Sequence, residues 1–226
     1  MNKRIFVTGT DTNVGKTFVS AALLYALNKK GLSTLGLKPL ASGCEKHNGR
    51  WENEDALILQ EASSLYAPYE VINPIAFPDA IAPHLAAKNK NYRLSVEGIT
   101  KELHTGLALE SDVTLIEGAG GWYVPLNEKE FFSDFAVGLS LPVILVVGLR
   151  LGCINHALLT VAAIKQAGLP LVAWVANCVD PNMRRVSSNI DTLKNAIEAP
   201  CLGVVPYLPS AKPQEAASYL DSSILV

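Results

Sequence analysis

The amino-acid sequence predicts an α/β protein in which helices cover both faces of a doubly wound, mostly parallel sheet. Short apolar runs recur along the chain and are apolar at successive positions, which is typical of strands buried on both faces. Segments with helical spacing separate these runs, so strand and helix alternate as a parallel sheet requires. The chain has 226 residues, of which 49% are hydrophobic. This suffices for one buried core, and we expect a single domain over residues 1–226.

The predicted elements follow one another in chain order. The strands are RIFVTG near the start, STLGLKPLA from Ser33, VTLIEGAG from Val113, PVILVVG from Pro142, LVAWVANC from Leu171 and CLGVVPYL from Cys201. The helices are Thr17 to Lys30, Val96 to Leu109, Asn155 to Ala167 and Val186 to Ala196. The proline-containing segment from Pro68 to Arg93 is expected to be the least regular. Because ligands of such sheets bind beyond the carboxyl ends of the strands, functional residues are expected just after each strand.

The composition excludes several classes of protein. The chain carries 19 Lys+Arg and 21 Asp+Glu residues, and it has no run of like charges that would favour nucleic acid or a membrane surface. Its four cysteines occur singly and its histidines lack zinc-site spacing, so we expect reduced thiols in a cytoplasmic protein. The start MNKRIFVTGT lacks signal-peptide features, and no apolar run reaches the roughly 18 residues of a membrane span. A small-molecule partner is therefore expected.

The stretch GTDTNVGKT, residues 9–17, follows the first strand and opens the first helix. It departs from the phosphate-loop pattern G-x-x-x-x-G-K-[ST], because Thr10 stands where the first glycine is expected. Gly15 would still let the backbone approach phosphates, while Lys16 supplies charge and Thr17 a hydroxyl for Mg²⁺. The alternative is an ordinary helix start capped by Thr12 or Asn13. The order strand, loop, Gly-Lys-Thr, helix favours a P-loop NTPase fold that binds ATP with Mg²⁺.

Charged residues follow two other predicted strands. Lys38, between Leu37 and Pro39, is costly to bury unless it meets an anion, although it could instead extend to solvent. Glu117 ends an apolar strand and is a candidate metal ligand. Asp55 is a second candidate, but it begins a predicted helix and could simply stabilise the helix dipole.

Two further strand ends lead to candidate binding groups. Gly152 to Asn155 open a helix whose N-terminus could bind a carboxylate or phosphate, although a plain helix start with Asn155 near the N-cap is favoured from the residues alone. Asn177 is not followed by the lysine and aspartate that complete the guanine-reading Asn-Lys-x-Asp pattern. This argues against a signalling GTPase. Its amide could still bond an adenine edge.

The stretches GTDTNVGKT, KPLASG, EGAGGWYVPL, PVILVVGLRLGCINHALLT and WVANC together resemble the dethiobiotin synthetase family over essentially the whole chain. The resemblance implies an ATP-dependent ligase of biotin synthesis. In the implied reaction, 7,8-diaminononanoate takes up CO₂ as a carbamate, ATP phosphorylates the carbamate, and the second amine closes the ureido ring with release of phosphate. It also implies a homodimer.

The resemblance further implies roles for individual residues. Lys16 would contact the phosphates, and Lys38 would be the active-site lysine beside the carbamate and the γ-phosphate. Both lysines would be catalytic residues. Nucleotide or Mg²⁺ contacts are implied for Asn13, Val14, Gly15, Lys16, Thr17, Phe18, Asp55, Glu117, Gly118, Ala119, Gly120, Asn177, Cys178, Pro206, Tyr207 and Leu208. Within this set Thr17, Asp55 and Glu117 would hold Mg²⁺. Substrate contacts are implied for Thr12, Ser42, Gly118 and Gly121 and, in the partner subunit, for Gly152, Cys153, Ile154 and Asn155.

Two positions depart from the family pattern. Asn13 stands where an acidic residue is common, which leaves the role of that carboxylate open. Cys178 stands where aspartate is common, which leaves open whether base selectivity is looser than a strict preference for ATP. The alternative class is an ATPase switch of the partitioning or metal-insertion kind. Such proteins carry an additional lysine early in the loop, and Asp11 at that position argues against them.

Overall fold

The computed structural model describes residues 2–47, 49–210 and 212–226. The strands are β1 (Lys3–Gly9), β2 (Thr34–Leu37), β3 (Leu40–Ser42), β4 (Glu45–His47), β5 (Arg50–Glu52), β6 (Ile75–Phe77), β7 (Val113–Glu117), β8 (Val143–Leu149), β9 (Leu171–Cys178) and β10 (Cys201–Val205). The helices are α1 (Lys16–Asn28), α2 (Glu54–Ala62), α3 (Tyr69–Ile72), α4 (Pro83–Asn89), α5 (Val96–Glu102), α6 (His104–Ala108), α7 (Phe132–Gly138), α8 (Cys153–Gln166), α9 (Val186–Ala196) and α10 (Pro213–Ala216). Two 3₁₀ turns follow, at Ala217–Tyr219 and Ser223–Leu225.

Six strands form the central sheet in the order β10-β9-β8-β1-β7-β2, and all of its pairings are parallel. The chain begins in the interior of this sheet and extends it in both directions, so the strand order reverses beside β1. The carboxyl ends of β1, β2 and β7 meet at one edge, which is where an open α/β sheet binds its ligands. The predicted fold class is confirmed.

Both faces of the sheet are covered by apolar side chains. Ile5 and Val7 of β1 pack with α1 on one face, whereas Phe6 between them packs against Phe132 and Phe135 of α7 on the other. Burial of each such side chain contributes about 1.5–3 kcal/mol. Because successive residues are buried on opposite faces, the strands read as continuous apolar runs.

Two predicted elements are divided in the structure. The run STLGLKPLA forms β2 and β3, because Lys38 and Pro39 interrupt it and proline has no N–H for a strand ladder. After the break, β3 leaves the central sheet and pairs with β6. The predicted helix from Val96 to Leu109 forms two helices, α5 and α6. They meet at Leu103, a buried residue with φ of −81° and ψ of −5°.

The segment predicted to be least regular contains only short elements, namely α3, β6 and α4. Among the described residues, none of the helices combines the length and the apolar character needed to cross a membrane.

Candidate active site

A cleft of about 520 Å³ opens at the carboxyl edge of the central sheet. Its walls come from the loop between β1 and α1, the chain after β2, the start of α2 and the loop after β7. The lining residues are Thr12, Asn13, Gly15, Lys16, Thr17, Phe18, Lys38, Leu40, Ala41, Ser42, Asn53, Glu54, Asp55, Ile58, Ala119, Gly120 and Pro213. The sequence interpretation did not single out Leu40, Ala41, Asn53, Glu54, Ile58 or Pro213 in this set.

The loop between β1 and α1 presents a helix N-terminus to the cleft. Gly15 is the N-cap of α1, with φ of 82°, so neither Thr12 nor Asn13 is the cap. Asn13 also has a positive φ, of 58°, a conformation that asparagine tolerates better than most residues. The Asn177 amide donates to the Val14 carbonyl at 2.9 Å, which ties the loop to the end of β9. The unpaired N–H groups of the first turn therefore face a space suited to phosphate.

Three charged side chains and a hydroxyl meet behind this loop. Lys38 Nζ donates to Glu117 Oε1 at 2.6 Å and to Asp55 Oδ2 at 3.0 Å. Thr17 Oγ1 donates to the same Glu117 oxygen at 2.7 Å. Lys38 is 4% exposed and Glu117 fully buried, so Lys38 does not extend to solvent. The carboxylates supply the anionic partners that a buried lysine needs.

The same contacts explain the pKa shifts of these groups. Burial lowers the pKa of Lys38, but Glu117 and Asp55 outweigh this effect and hold it above its ordinary value. Burial raises the pKa of Asp55, but Lys38 outweighs this and holds it below its usual range. Lys16 differs, because burial lowers its pKa to about 8 and the opposing attraction of Glu117 is offset in part by repulsion from Lys38. Lys38 is therefore kept in its charged form, whereas Lys16 releases its proton more readily than a free lysine does.

The oxygen donors here fit a magnesium ion. Mg²⁺ is usually bound by one or two carboxylates together with substrate phosphates. Thr17, Asp55 and Glu117 offer a hydroxyl and two carboxylates, and Glu117 Oε2 is buried with no hydrogen-bond partner among the described residues. A buried carboxylate oxygen without a partner is costly, and a cation would satisfy it.

A second cavity, of about 210 Å³, brings together six residues for which the resemblance implied nucleotide contacts, and adds Val179, which the sequence did not indicate. It is lined by Phe18, Asn177, Cys178, Val179, Pro206, Tyr207 and Leu208. Since Asn177 Nδ2 is engaged by the Val14 carbonyl, its Oδ1 is the atom left to accept from a base.

Several predicted site residues line neither cavity. Val14 is 1% exposed and contributes its carbonyl rather than its side chain. Gly118 accepts from Lys38 Nζ at 3.4 Å, and Gly121 lies in the loop that follows. The residues Gly152 to Asn155 form the start of α8, where Gly152, not Asn155, is the N-cap.

One ion pair was not anticipated from the sequence. Arg150, after β8, donates to the Asp11 carboxylate in the phosphate loop. Asp11 also accepts from the Thr12 N–H at 2.7 Å. The pair joins residues 139 positions apart, so no local pattern indicates it.

The fold and the Gly-Lys-Thr loop define a nucleotide-binding protein of the P-loop type. The MinD septum site-determining protein of Pyrococcus horikoshii, solved with Mg-ADP, has a similar fold, with a TM-score of 0.59, 18% identity, and coverage of 99% of this chain and 96% of that one. Cobyrinic acid a,c-diamide synthase of Mycobacterium smegmatis, solved with ADP and magnesium, gives a TM-score of 0.60 at 17% identity, covering 100% and 94%. At such identities the likeness concerns the fold alone.

Sequence comparison identifies the family. A family model described as an AAA domain matches residues 3–215. The ATP-dependent dethiobiotin synthetase of Cellvibrio japonicus is 51% identical over 224 residues, covering 99% of this chain and 98% of that protein. The synthetase of Pseudomonas aeruginosa is 53% identical over 216 residues, covering 96% and 95%. The chain belongs to the ATP-dependent dethiobiotin synthetase family, which confirms the resemblance, and nothing in its family favours the ATPase-switch alternative.

Proposed function

We propose that this chain is an ATP-dependent cyclo-ligase that forms dethiobiotin from 7,8-diaminononanoate and CO₂, with release of ADP and phosphate. The observation that carries the proposal is Lys38, buried between Glu117 and Asp55 beside the phosphate loop, in a chain about half identical to dethiobiotin synthetases. A lysine at this position favours a reaction in which negative charge moves between a carbamate and a phosphoryl group.

The proposed reaction has three steps: carbamate formation, phosphoryl transfer and ring closure. One amine of the diamine adds CO₂ and loses a proton to form a carbamate. A carbamate oxygen attacks the γ-phosphorus, the bond to ADP breaks, and a carbamic-phosphoric anhydride forms. The second amine then attacks the carbonyl carbon, the bond to phosphate breaks, and loss of a proton leaves the cyclic urea. In this scheme Lys16 and the first turn of α1 bind the phosphates, and Lys38 stabilises charge on the carbamate and transferring phosphoryl group.

The metal requirement follows from the same residues. Thr17, Asp55 and Glu117 would hold Mg²⁺, which when bound neutralises charge on the phosphate oxygens. Adenine would occupy the smaller cavity, where Oδ1 of Asn177 accepts from its amino group.

The substrate is proposed to extend between two subunits. Thr12 and Ser42 line the cleft and would contact the diamine or its carbamate. The start of α8, proposed to bind the substrate carboxylate, lies outside the cleft of its own chain. Helix α8 and its entry also expose Leu151 (96%) and Leu159 (63%), an apolar surface suited to burial in a homodimer. We further propose a cytoplasmic location, which fits an ATP-using protein with four free cysteines.

The proposal is tested by the dependence of phosphate release on both co-substrates. Purified protein with Mg-ATP is expected to release little phosphate until 7,8-diaminononanoate and bicarbonate are both present, and dethiobiotin should then appear in equal amount by mass spectrometry. Omission of either co-substrate is the control. Phosphate release that is the same without the diamine would refute the ligase assignment.

A further inference from the structure

Two buried polar side chains outside the cleft contact both segments that carry the Lys38–Asp55 ion pair. Tyr69 is 4% exposed and Asn73 is 3% exposed. They lie at the two ends of the short helix α3, and neither lines the cleft. A hydroxyl and an amide at such depth are tolerated only when hydrogen-bonded, so their partners indicate what they do.

Asn73 holds the main chain of Lys38. Its Nδ2 donates to the Lys38 carbonyl at 2.7 Å and to the Ile75 carbonyl at 3.3 Å. The Lys38 N–H in turn donates to the Ile72 carbonyl at 2.8 Å. Lys38 is the first residue beyond β2, and Pro39 after it cannot continue the ladder. The N–H and the carbonyl of Lys38 are therefore held by two successive residues, Ile72 and Asn73. This fixes the backbone position from which the Lys38 side chain extends.

Tyr69 holds the start of the helix that carries Asp55. Its hydroxyl accepts from the Asn53 N–H at 2.7 Å and donates to Asn73 Oδ1 at 2.8 Å. Asn53 is the N-cap of α2. An N-cap N–H is often bound by a Glu or Gln at the third helical position, but that position is Ala56, which has no polar side-chain atom. The Tyr69 hydroxyl fills this role, and Asp55 at the second position remains available to Lys38.

We infer that Tyr69 and Asn73 are positioning residues that set the separation of Lys38 and Asp55 through one hydrogen-bonded chain, from the Asn53 N–H to the Lys38 carbonyl. The ion pair joins residues 17 positions apart on different elements, so no local geometry fixes it. In a catalytic site a displacement of about 1 Å can cost on the order of 100-fold in rate. The inference rests on the proposed function, because turnover is its measure.

The first test is Tyr69→Phe, which removes the hydroxyl and keeps the ring, including its stacking with Arg50 at 5.1 Å. We expect kcat for dethiobiotin formation to fall about tenfold, whereas the KM values for Mg-ATP and the diamine and the equilibrium affinity for ATP change less than about twofold. The matched control is Tyr66→Phe, since Tyr66 is 83% exposed, and it should retain the wild-type rate.

Two results would overturn the inference. One is an unchanged kcat in Tyr69→Phe. The other is a fall in kcat matched by an equal fall in ATP affinity, or in the folded fraction measured by circular dichroism, because either would indicate a purely structural role. Wild-type protein and Tyr66→Phe are assayed in parallel. Absence of dethiobiotin from the wild type refutes the proposed function, whereas equal rates for the wild type and Tyr69→Phe refute only this inference.

The second test asks whether the two residues act as one chain. Asn73→Ala releases the Lys38 carbonyl and the Tyr69 hydroxyl together, so its loss of kcat should be at least as large as that of Tyr69→Phe. Adding Tyr69→Phe to Asn73→Ala should cost less than about a further twofold, because the chain is already broken. If the two losses multiply in full, the residues act independently and the single chain is refuted.

Discussion

At the scale of single residues, the charge of Lys38 is balanced by the same carboxylates that are proposed to hold Mg²⁺. Lys38 Nζ lies 2.6 Å from Glu117 Oε1 and 3.0 Å from Asp55 Oδ2. Removal of one partner from a buried ion pair leaves the other charge uncompensated, which is strongly destabilising. Mutations here therefore require a measurement of folding beside each measurement of rate.

Lys38→Ala should separate nucleotide binding from turnover. We propose that Lys16 and the N-terminus of α1 bind the phosphates. The dissociation constant for ATP should therefore change less than about threefold in Lys38→Ala. Turnover should fall about 10²–10³-fold, as on removal of a group that stabilises charge in the transition state. Equilibrium binding and single-turnover kinetics measure the two effects. Lys101→Ala, on the exposed side of α5, is the control. Weaker ATP binding with unchanged turnover at saturation would contradict the assigned role.

The pKa of Lys16 predicts proton uptake when ATP binds. Burial holds this pKa at about 8 in the folded protein, against 10.5 for a free lysine. A phosphate favours the charged form, so above pH 8 binding must take up a proton, and affinity should fall by up to about tenfold per pH unit. Calorimetry at pH 8.5 in buffers of different ionisation enthalpy measures the uptake. Lys16→Arg, whose guanidinium remains charged, should show none, and equal heats for the wild type in all buffers would contradict the prediction.

The same pKa sets the sign of a stability effect. Below pH 8 Lys16 is charged in the folded and unfolded states, and the full penalty of burying the charge applies. Between about pH 8 and 10.5 the folded protein releases the proton while the unfolded chain keeps it. The contribution of Lys16 to the free energy of unfolding therefore rises with pH across this range.

Sequence reasoning could place Lys38 and Glu117 near each other, because both end apolar strands and the carboxyl ends of parallel strands meet at one edge. It could not place Tyr69 or Asn73. Their partners Asn53 and Lys38 are 16 and 35 positions away, and these contacts exist only once α3 has packed against α2 and β2. Buried hydrogen bonds between distant segments leave no periodic pattern in the chain.

At the scale of elements, the strands could be predicted because both faces of the sheet are apolar and each strand is a continuous apolar run. The starts of helices were harder to predict, because they depend on the backbone angles of single residues. Helices α1 and α8 both begin after a glycine with positive φ, Gly15 at 82° and Gly152 at 95°, where the sequence interpretation considered polar N-caps. The pairing of β3 with β6 also escaped prediction, since each strand has only three residues.

Gly15→Ala should weaken nucleotide binding. A Cβ at this position would overlap the Asn177 Nδ2 that holds the Val14 carbonyl, and its φ of 82° is unfavourable for alanine. The loop would have to move, so ATP affinity should fall more than about tenfold. Fluorescence titration with a nucleotide analogue measures the loss.

Gly168→Ala is the matched control for Gly15→Ala. Gly168 has a φ of 75°, but a Cβ there meets no atom within 4 Å. This variant should lose about 1–2 kcal/mol of unfolding free energy from backbone strain alone and keep the wild-type affinity for ATP. Equal losses of affinity in both variants would show that general destabilisation, and not a local change in the phosphate loop, weakens binding.

At the scale of the whole molecule, the proposed site is incomplete in one chain. The cleft contains the phosphate loop and the residues proposed for the diamine, whereas the proposed carboxylate site at the start of α8 lies outside it. Burial of the exposed Leu151, just before that helix, and Leu159, within it, would place two such sites in one symmetric interface.

Leu159→Glu should therefore weaken both assembly and substrate binding. Leu159 is 63% exposed on α8, and a carboxylate buried at this position in a homodimer would lack a partner. We expect the mass measured by light scattering to shift from dimer to monomer, and the KM for 7,8-diaminononanoate to rise about tenfold or more, while ATP affinity stays within about twofold. Ile224→Glu, 48% exposed in the last 3₁₀ turn, is the control and should change neither quantity. A monomeric Leu159→Glu protein with an unaltered KM would mean that the carboxylate site belongs to the same chain as the cleft.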